Sequence, residues 1–292
     1  MGLRKPVAMN RFYPESARGC LEEVKECLSA GSVAGEKLPA RIVGGIVPHA
    51  GWLFSGDLAG MVFSAIKKVN VDVDTFIIFG AAHRYLGRKA VIYDKGNWQT
   101  PLGQIGIDEE LAEIIAKESN VVSDPDAHRT EHSIEVQVPF IQHLFGEAKI
   151  VPIIVPSAEF DLELGIDIAK IISEAKEKRI VCIASTDLTH YGPDYGFTPA
   201  GVGQVGIDWA KEVNDKEFID LALKMEPHNL LETAVEKGSA CGGGATAVLV
   251  ATAGELGRTE GILLGHTHSN EVMERKLGRS SEDSVGYAAI VY

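Results

Sequence analysis

The chain has 292 residues, 45% of them hydrophobic and 24% charged, and a formal net charge of −13. That length can bury a sizeable core in a soluble globular protein, and the acidic balance, unrelieved by any block of Lys and Arg, argues against a nucleic-acid partner. No apolar run approaches the length of a membrane span, and the opening MGLRKPVAMNRFYPES has no apolar segment long enough for a signal peptide.

Cys20, Cys27, Cys182 and Cys241 form no CxxC pair, and Cys20 and Cys27 lie two turns apart on one expected helix face, too far for an easy disulfide. Reduced thiols in a cytoplasmic setting are the expectation. Ala17 to Ser29 reads as a helix with Ser16 as N-cap, and Gly31 to Pro39 as a linker. RIVGGIV, Arg41 to Val47, is a buried strand ending at Pro48-His49-Ala50-Gly51. Ser55 to Val69 carries apolar residues at helical spacing. TFIIF, Thr75 to Phe79, is a second strand, ending at Gly80-Ala81-Ala82-His83. Ala90 to Tyr93 is a short strand, Trp98 to Gly103 a polar loop with a proline, and Asp108 to Glu118 an amphipathic helix. Ser133 to Phe145 looks helical, but Pro139 kinks it or delays its start.

Lys149 to Val155 is a strand, Leu162 to Lys176 a helix, and Arg179 to Ala184 (RIVCIA) a strand running into Ser185-Thr186-Asp187-Leu188-Thr189-His190. Val202 to Val235 holds two or three helices, interrupted near Pro227. Ser239-Ala240-Cys241-Gly242-Gly243-Gly244 opens a helical run from Ala245 to Ala253, and Gly261 to Leu264 and Val285 to Val291 close the chain as strands. Apolar strands alternating with amphipathic helices predict an α/β fold with a mostly parallel central sheet and helices on both faces. With no repeat or composition break, residues 1–292 read as one domain.

Ligand sites in such folds lie beyond the carboxyl ends of strands. Three strands end alike: IVPHAG at His49, IFGAAH at His83, and IASTDLTH at Asp187 and His190. A lone histidine in such a place is more often a satisfied structural residue, but three equivalent placements point to convergence. Cys241 stands at or just before a helix N-terminus, where the dipole and free amides favour a thiolate. Two histidines and a third anionic ligand with open positions is the pattern of a mononuclear iron or zinc site. Three adjacent glycines suit tight bending or close approach. In Asp126 to Glu135, His128 and Arg129 read as members of a solvated loop. Glu131, His132 and Glu135 could line the pocket or orient the ligands. His266 and His268 share a strand face as a rival metal pair, without an evident third ligand. His143 and His228 read as helix-surface residues.

The segments RFYP, PHAGWLFSG, FGAAHRYLG, EHSIEVQVPF, STDLTHYG and SACGGGA, in this order over nearly the whole chain, resemble the Memo family. Memo proteins in turn resemble the class III extradiol dioxygenases, non-haem iron enzymes with an α/β fold. The resemblance implies His49, His83 and Cys241 at the three metal-ligand positions, His190 at the acid/base position and Asp187 beside it. The dioxygenases have a carboxylate where this chain has Cys241, and a thiolate is softer, with a different metal preference and redox behaviour.

Three readings follow. In the first, a metal-dependent, dioxygenase-like oxidoreductase holds iron, or copper or zinc in its place, through His49, His83 and Cys241. His190 is its acid/base, Asp187 orients His190, and His132 assists in acting on a small molecule. In the second, the pocket belongs to a binding protein that takes a peptide or small ligand, with Trp52, Phe54, Tyr13 and Tyr191 at its mouth. In the third, Cys241 is a nucleophile with His190 as its base.

Overall fold

A computed structural model describes residues 2–33, 37–157 and 162–292. Of the expected 31–39 linker, residues 34–36 lie outside the described part. The chain begins with a short strand β1 (Leu3–Arg4) and helix α1 (Ala17–Ala30), whose N-cap Ser16 accepts from the Gly19 amide. Then come β2 (Gly44–Val47), α2 (Trp52–Val69), β3 (Thr75–Gly80) and β4 (Val91–Ile92). Next are β5 (Asn97–Thr100), β6 (Gly103–Gly106), α3 (Glu109–Glu118), capped by Asp108, and β7 (Val122–Ser123). After two 3-10 turns, α4 (Val138–Leu144) starts with Pro139 in its first turn, where the missing amide costs nothing. Strand β8 (Lys149–Ile154), helix α5 (Glu163–Glu174) and strands β9 (Ile180–Ser185) and β10 (His190–Tyr191) follow. The last third contains α6 (Gln204–Trp209), a π-helical turn at Ala210–Asp215, α7 (Lys216–Leu223), α8 (Pro227–Glu236) and α9 (Gly243–Glu255). It closes with β11 (Ile262–His268), α10 (Ser269–Leu277) and β12 (Ser284–Val291).

A nine-stranded sheet runs β10-β12-β2-β9-β3-β8-β4-β7, with β11 also paired to β12. Its centre, β2-β9-β3-β8, is parallel; antiparallel pairing of β12 with β2 and of β4 with β8 makes the whole sheet mixed. Neighbouring glycines show the two covered faces. A Cβ on Gly44 would strike Leu249 of α9, and one on Gly45 would strike Val62 of α2. Successive strand residues point to opposite faces, so α2 and α9 lie on opposite sides. Strands β2, β3 and β9 are buried along their whole length, which is why they read as unbroken apolar runs. Among the described residues, one continuous core extends from Ala8 to Tyr292, with a small second cluster at Tyr191, Ile207 and Ala210.

Two expectations need correction. Trp98 to Gly103 is not a loop: β5 and β6 form a hairpin, and β1 pairs with β5 to complete a three-stranded sheet. Pro101 marks only the hairpin turn; the alternation that buries Trp98 and Thr100 is the strand signal it obscures. The closing segment also contains α10, which buries only Asn270 and Val272 and so shows little apolar periodicity.

Candidate functional site

Strand register gathers the candidate residues. Val47 of β2 lies opposite Ser185 of β9, and Ala184 lies opposite Phe79 of β3. The three strands therefore finish at one level, and the loops beyond them carry His49, Asp187 and His83. Cys241 arrives from the helix side: its amide donates to Asp187 O at 3.2 Å, and the Gly242 amide donates to Thr186 Oγ1 at 2.9 Å. Gly242 has φ −107°, so the glycines here serve approach rather than a left-handed turn. A Cβ on Gly242 would stand 2.7 Å from Ser185 O, on Gly243 2.5 Å from the Ala234 methyl, and on Gly244 2.2 Å from Pro156 O. Bare backbone lets the start of α9 press against the strand ends.

His49 Nε2 is 3.2 Å from Cys241 Sγ. The ring's other nitrogen, Nδ1, contacts Ser185 Oγ at 3.1 Å. That hydroxyl donates to Ser133 O at 2.7 Å, so its proton is committed and it accepts from Nδ1. Nε2 is thereby turned to the sulfur: it donates there when the ring is charged, and its lone pair is available to a metal ion once that proton has left. His83 Nδ1 meets Glu131 Oε1 at 2.9 Å, and the His83 amide donates to Glu131 Oε2 at 3.1 Å. The ring's second nitrogen is left for Cys241, whose thiol His83 helps to lower. Burial opposes charge on His83, but the bonds to Cys241 and Glu131 outweigh it and lift the imidazole to about 10. Burial likewise opposes a thiolate at Cys241, yet the charge of His49 and hydrogen bonds from His49 and His83 bring the thiol down to about 6. Glu131 is buried, which by itself would raise it; the His83 bond and the Ser133 amide hold it well below the usual carboxylate range.

His132 stacks on His83 with centroids 4.6 Å apart and stands edge-on to His49 at 5.4 Å. Nitrogens of His49, His83 and His132 all lie within 4.8 Å of one another. Burial and the neighbouring His49 and His83 push His132 down to about 3, so it is a neutral donor. His190 stands farther along the cavity, edge-on to Tyr195 at 5.1 Å. Its Nδ1 bonds Leu188 O at 3.0 Å, which protonates Nδ1 and leaves Nε2 as acceptor. Asp187 is therefore not the hydrogen-bonded orienter of His190. Its Oδ1 accepts from the His49 and Ala50 amides at 2.7 and 3.2 Å, because the β2 loop turns its backbone donors toward it. Burial raises the Asp187 carboxyl, with the charge of His190 acting against it.

His49, His83, His132, Asp187 and His190 face a cavity of about 520 Å³ lined also by Phe12, Phe54, Tyr195, Met273 and Tyr287, with Cys241 and Glu131 behind the histidines rather than in its lining. A larger cavity of about 880 Å³ lies at the opposite end, where β3 and β8 begin; among the described residues no histidine or cysteine lines it, and Lys178 and Arg179 there are paired to carboxylates. Of the four aromatics expected at the mouth, only Phe54 lines the pocket. Trp52, Tyr13 and Tyr191 are buried core residues: Trp52 stacks on Tyr13, and the Tyr191 hydroxyl donates to Gly201 O. The solvated position expected for His128 is also overturned. It is fully buried, bonded to Val91 O and held neutral, its pKa pushed down to about 3 by burial and by Arg4. Glu135 is buried away from the cavity and binds Arg4, Tyr13 and the Val7 and Ala8 amides. His266 pairs with Asp215 at 3.2 Å, while His268 bonds Ser284 at 2.9 Å, so the two rings are engaged separately. His143 and His228 are exposed, as expected.

Several supports escaped the sequence reading. Gln137 donates to both Pro48 O and Ser185 Oγ. Asn214 and Asp215, turned inward by the π-helical turn, hold Thr189 by its hydroxyl and its amide, each at 3.0 Å. They fix the loop between Asp187 and His190. The inserted residue of a π-turn leaves no sequence mark, which is why these supports could not be seen.

A family model described as Memo-like protein matches residues 4–291. The MEMO1 family protein of Pyrobaculum aerophilum is 36% identical over 300 residues, covering 100% of this chain and 99% of its own. That of Thermococcus kodakarensis is 36% identical over 299 residues, covering 99% of each. A crystal structure of an uncharacterized protein from Escherichia coli K12 aligns with a TM-score of 0.46 at 13% identity, over 84% of this chain and 99% of that one.

Proposed function

From the premise that the chain belongs to the Memo-like family, we propose that it holds a metal ion, iron or copper with zinc as the alternative, through His49, His83 and Cys241, and acts on a small molecule by redox chemistry. The observation that carries this reading is the wiring around one sulfur. His49 Nε2 lies 3.2 Å from Cys241 Sγ, within the roughly 3–4 Å expected between two donors on one tetrahedral ion. Each histidine's other nitrogen is engaged, by Ser185 and by Glu131, the arrangement that orients ligating imidazoles. A bound iron or copper ion would supply electron transfer and Lewis acidity.

The chain's own groups do the rest. His190, with Nε2 as acceptor, takes or returns a proton at the substrate, and Phe12 and Phe54 shield one wall from water. His132 contributes a neutral nitrogen beside His83, as a further ligand or a contact to substrate. The test is metal content of protein purified without chelator. Wild type should retain iron or copper, and His49→Ala and Cys241→Ser should lose it while remaining folded. Full metal retention in Cys241→Ser with loss in His132→Ala would favour a set of three histidines instead.

A second reading draws on the same 3.2 Å contact: a Cys241 thiolate activated by imidazole is also the start of nucleophilic catalysis. Its base would be His49 rather than the His190 expected from sequence. Turnover that survives complete metal removal would select it.

A further inference from the structure

Away from the histidine cavity, at the end of the sheet where β2 and β9 begin, lies a pocket of about 320 Å³. Its charged lining residues are Arg41, Lys176, Lys178 and Arg258, all of them cations; no Asp or Glu lines it among the described residues. With 41 acidic against 28 basic residues in the chain, composition alone would favour carboxylates there. Glu174, Glu177 and Glu255 adjoin lining residues in sequence, yet none of them lines the pocket. Lys178 is held from outside by Asp108 and Glu110. The side chains of Arg41, Lys176 and Arg258 form no ion pair among the described residues.

Arg258 supplies a second, independent sign. Its Nε is buried and has no hydrogen-bond partner among the described residues. A buried N–H without an acceptor is costly, and an oxyanion brings several acceptors at once. Glu260 and Tyr292 line a smaller recess that Arg258 also borders, but neither forms an ion pair with it. Helix ends account for only part of the positive charge. Helices α5 and α9 both finish at the pocket, with their C-caps Ala175 and Leu256 in its lining. Each C-terminus amounts to roughly half a negative charge, too little to offset Arg41, Lys176 and Arg258 together.

We propose that this pocket binds a small phosphomonoester, whose dianionic phosphate sits among Arg41, Lys176 and Arg258 and whose short carbon body lies against Val43, Ile172 and Leu256. The site is independent of the histidine cavity and holds its ligand with or without a metal there. The guanidinium forks of Arg41 and Arg258 each match two phosphate oxygens, and Lys176 adds a point charge. A carboxylate brings one negative charge and can fill only one fork, and a neutral ligand leaves all three cations without a counter-charge. The volume stands at the lower end for ligand pockets, which limits the body to a few carbons.

The test is titration calorimetry on the full chain with butyl phosphate, inorganic phosphate, butyrate and butanol, at low salt and about pH 8, where a phosphomonoester carries close to two charges. Butyl phosphate should bind at least about tenfold more tightly than butyrate, and butanol should give no signal. Inorganic phosphate should bind more weakly than butyl phosphate, because it leaves the apolar floor uncovered. Added salt should lower the affinity. Arg41→Gln and Arg258→Gln, with folding checked by thermal melting, should each weaken butyl phosphate at least about tenfold, and Arg258→Lys, which keeps the charge but not the fork, should recover part of the loss. No binding to wild type, butyrate as tight as butyl phosphate, or an affinity unchanged in both Gln variants overturns the proposal. Inorganic phosphate as tight as butyl phosphate overturns the organic body. His49→Ala controls for the distant cavity: it should bind butyl phosphate as wild type does, and a loss confined to that variant would place the anion at the histidines and overturn the assigned pocket.

Discussion

At the residue scale, the four cysteines divide by environment. Cys241 is half-buried against two histidines, whereas burial pushes Cys20 and Cys27 up to about 12 and Cys182 higher still. In metal-free protein, iodoacetamide should therefore modify Cys241 first. Its thiolate is the reactive form and predominates above a pKa of about 6, so the rate should climb between pH 5 and 7 and level off above that. A rate that begins to climb only near pH 8, read by mass spectrometry of the labelled peptide, would remove the histidine pairing as its cause. For the same reason Cys241→Ser should deplete bound metal and Cys182→Ser should not, since Cys182 sits in the middle of β9. His190 is a different case, because its ring is tied to Leu188 O rather than to the sulfur. His190→Ala should keep its metal by elemental analysis but lose oxygen consumption on a panel of catechols, thiols and amines; loss of metal equal to that of His49→Ala would make His190 a ligand.

At the element scale, the decisive contacts are the close approaches of α9. Gly244 packs under Pro156, where a methyl would stand 2.2 Å from a carbonyl oxygen. Backbone cannot yield as a flexible side chain does, so Gly244→Ala should cost about 1–3 kcal/mol in denaturant unfolding. It should also loosen Cys241, three residues earlier, and so weaken metal retention. An unchanged midpoint would mean that α9 shifts freely. The π-helical turn is the second such device. Gly286 lies against Asp215, with a prospective Cβ 1.9 Å from Oδ2. Gly286→Ala should push Asp215 off the Thr189 amide and, through that loop, slow turnover more than it reduces metal content.

At the scale of the whole molecule, the N-terminal segment is fastened to the far side of the site. Arg4 is buried over the Trp98 ring at 4.0 Å; it donates to Glu135 Oε2 at 2.6 Å and also to the carbonyls of His128 and Glu131. It thus holds both ends of the segment that carries Glu131 and His132. Removing one partner of a buried ion pair leaves the other's charge uncompensated, so Arg4→Met should cost about 3–5 kcal/mol in chemical denaturation. A loss under about 1 kcal/mol would show that the Val7 and Ala8 amides and the Tyr13 hydroxyl satisfy Glu135 unaided.

The sequence by itself determined the α/β class, most strands and helices, and the identity of the histidines and cysteine now found together. Those properties depend on local patterns: unbroken apolar runs for strands buried on both faces, helical spacing in α2, histidines a few residues past strand ends. The tertiary structure alone decided how they meet. That β2, β9 and β3 stop at one level is a matter of register between strands far apart in the chain. That Asp187 serves the His49 amide rather than the His190 ring depends on which backbone donors the β2 loop turns toward it. His128 reads as solvated from its polar neighbours and is buried because β1 and the β5–β6 hairpin bring Arg4 and Trp98 over it. Side-chain chemistry is written residue by residue, but the partner of each polar group is chosen by packing between distant segments.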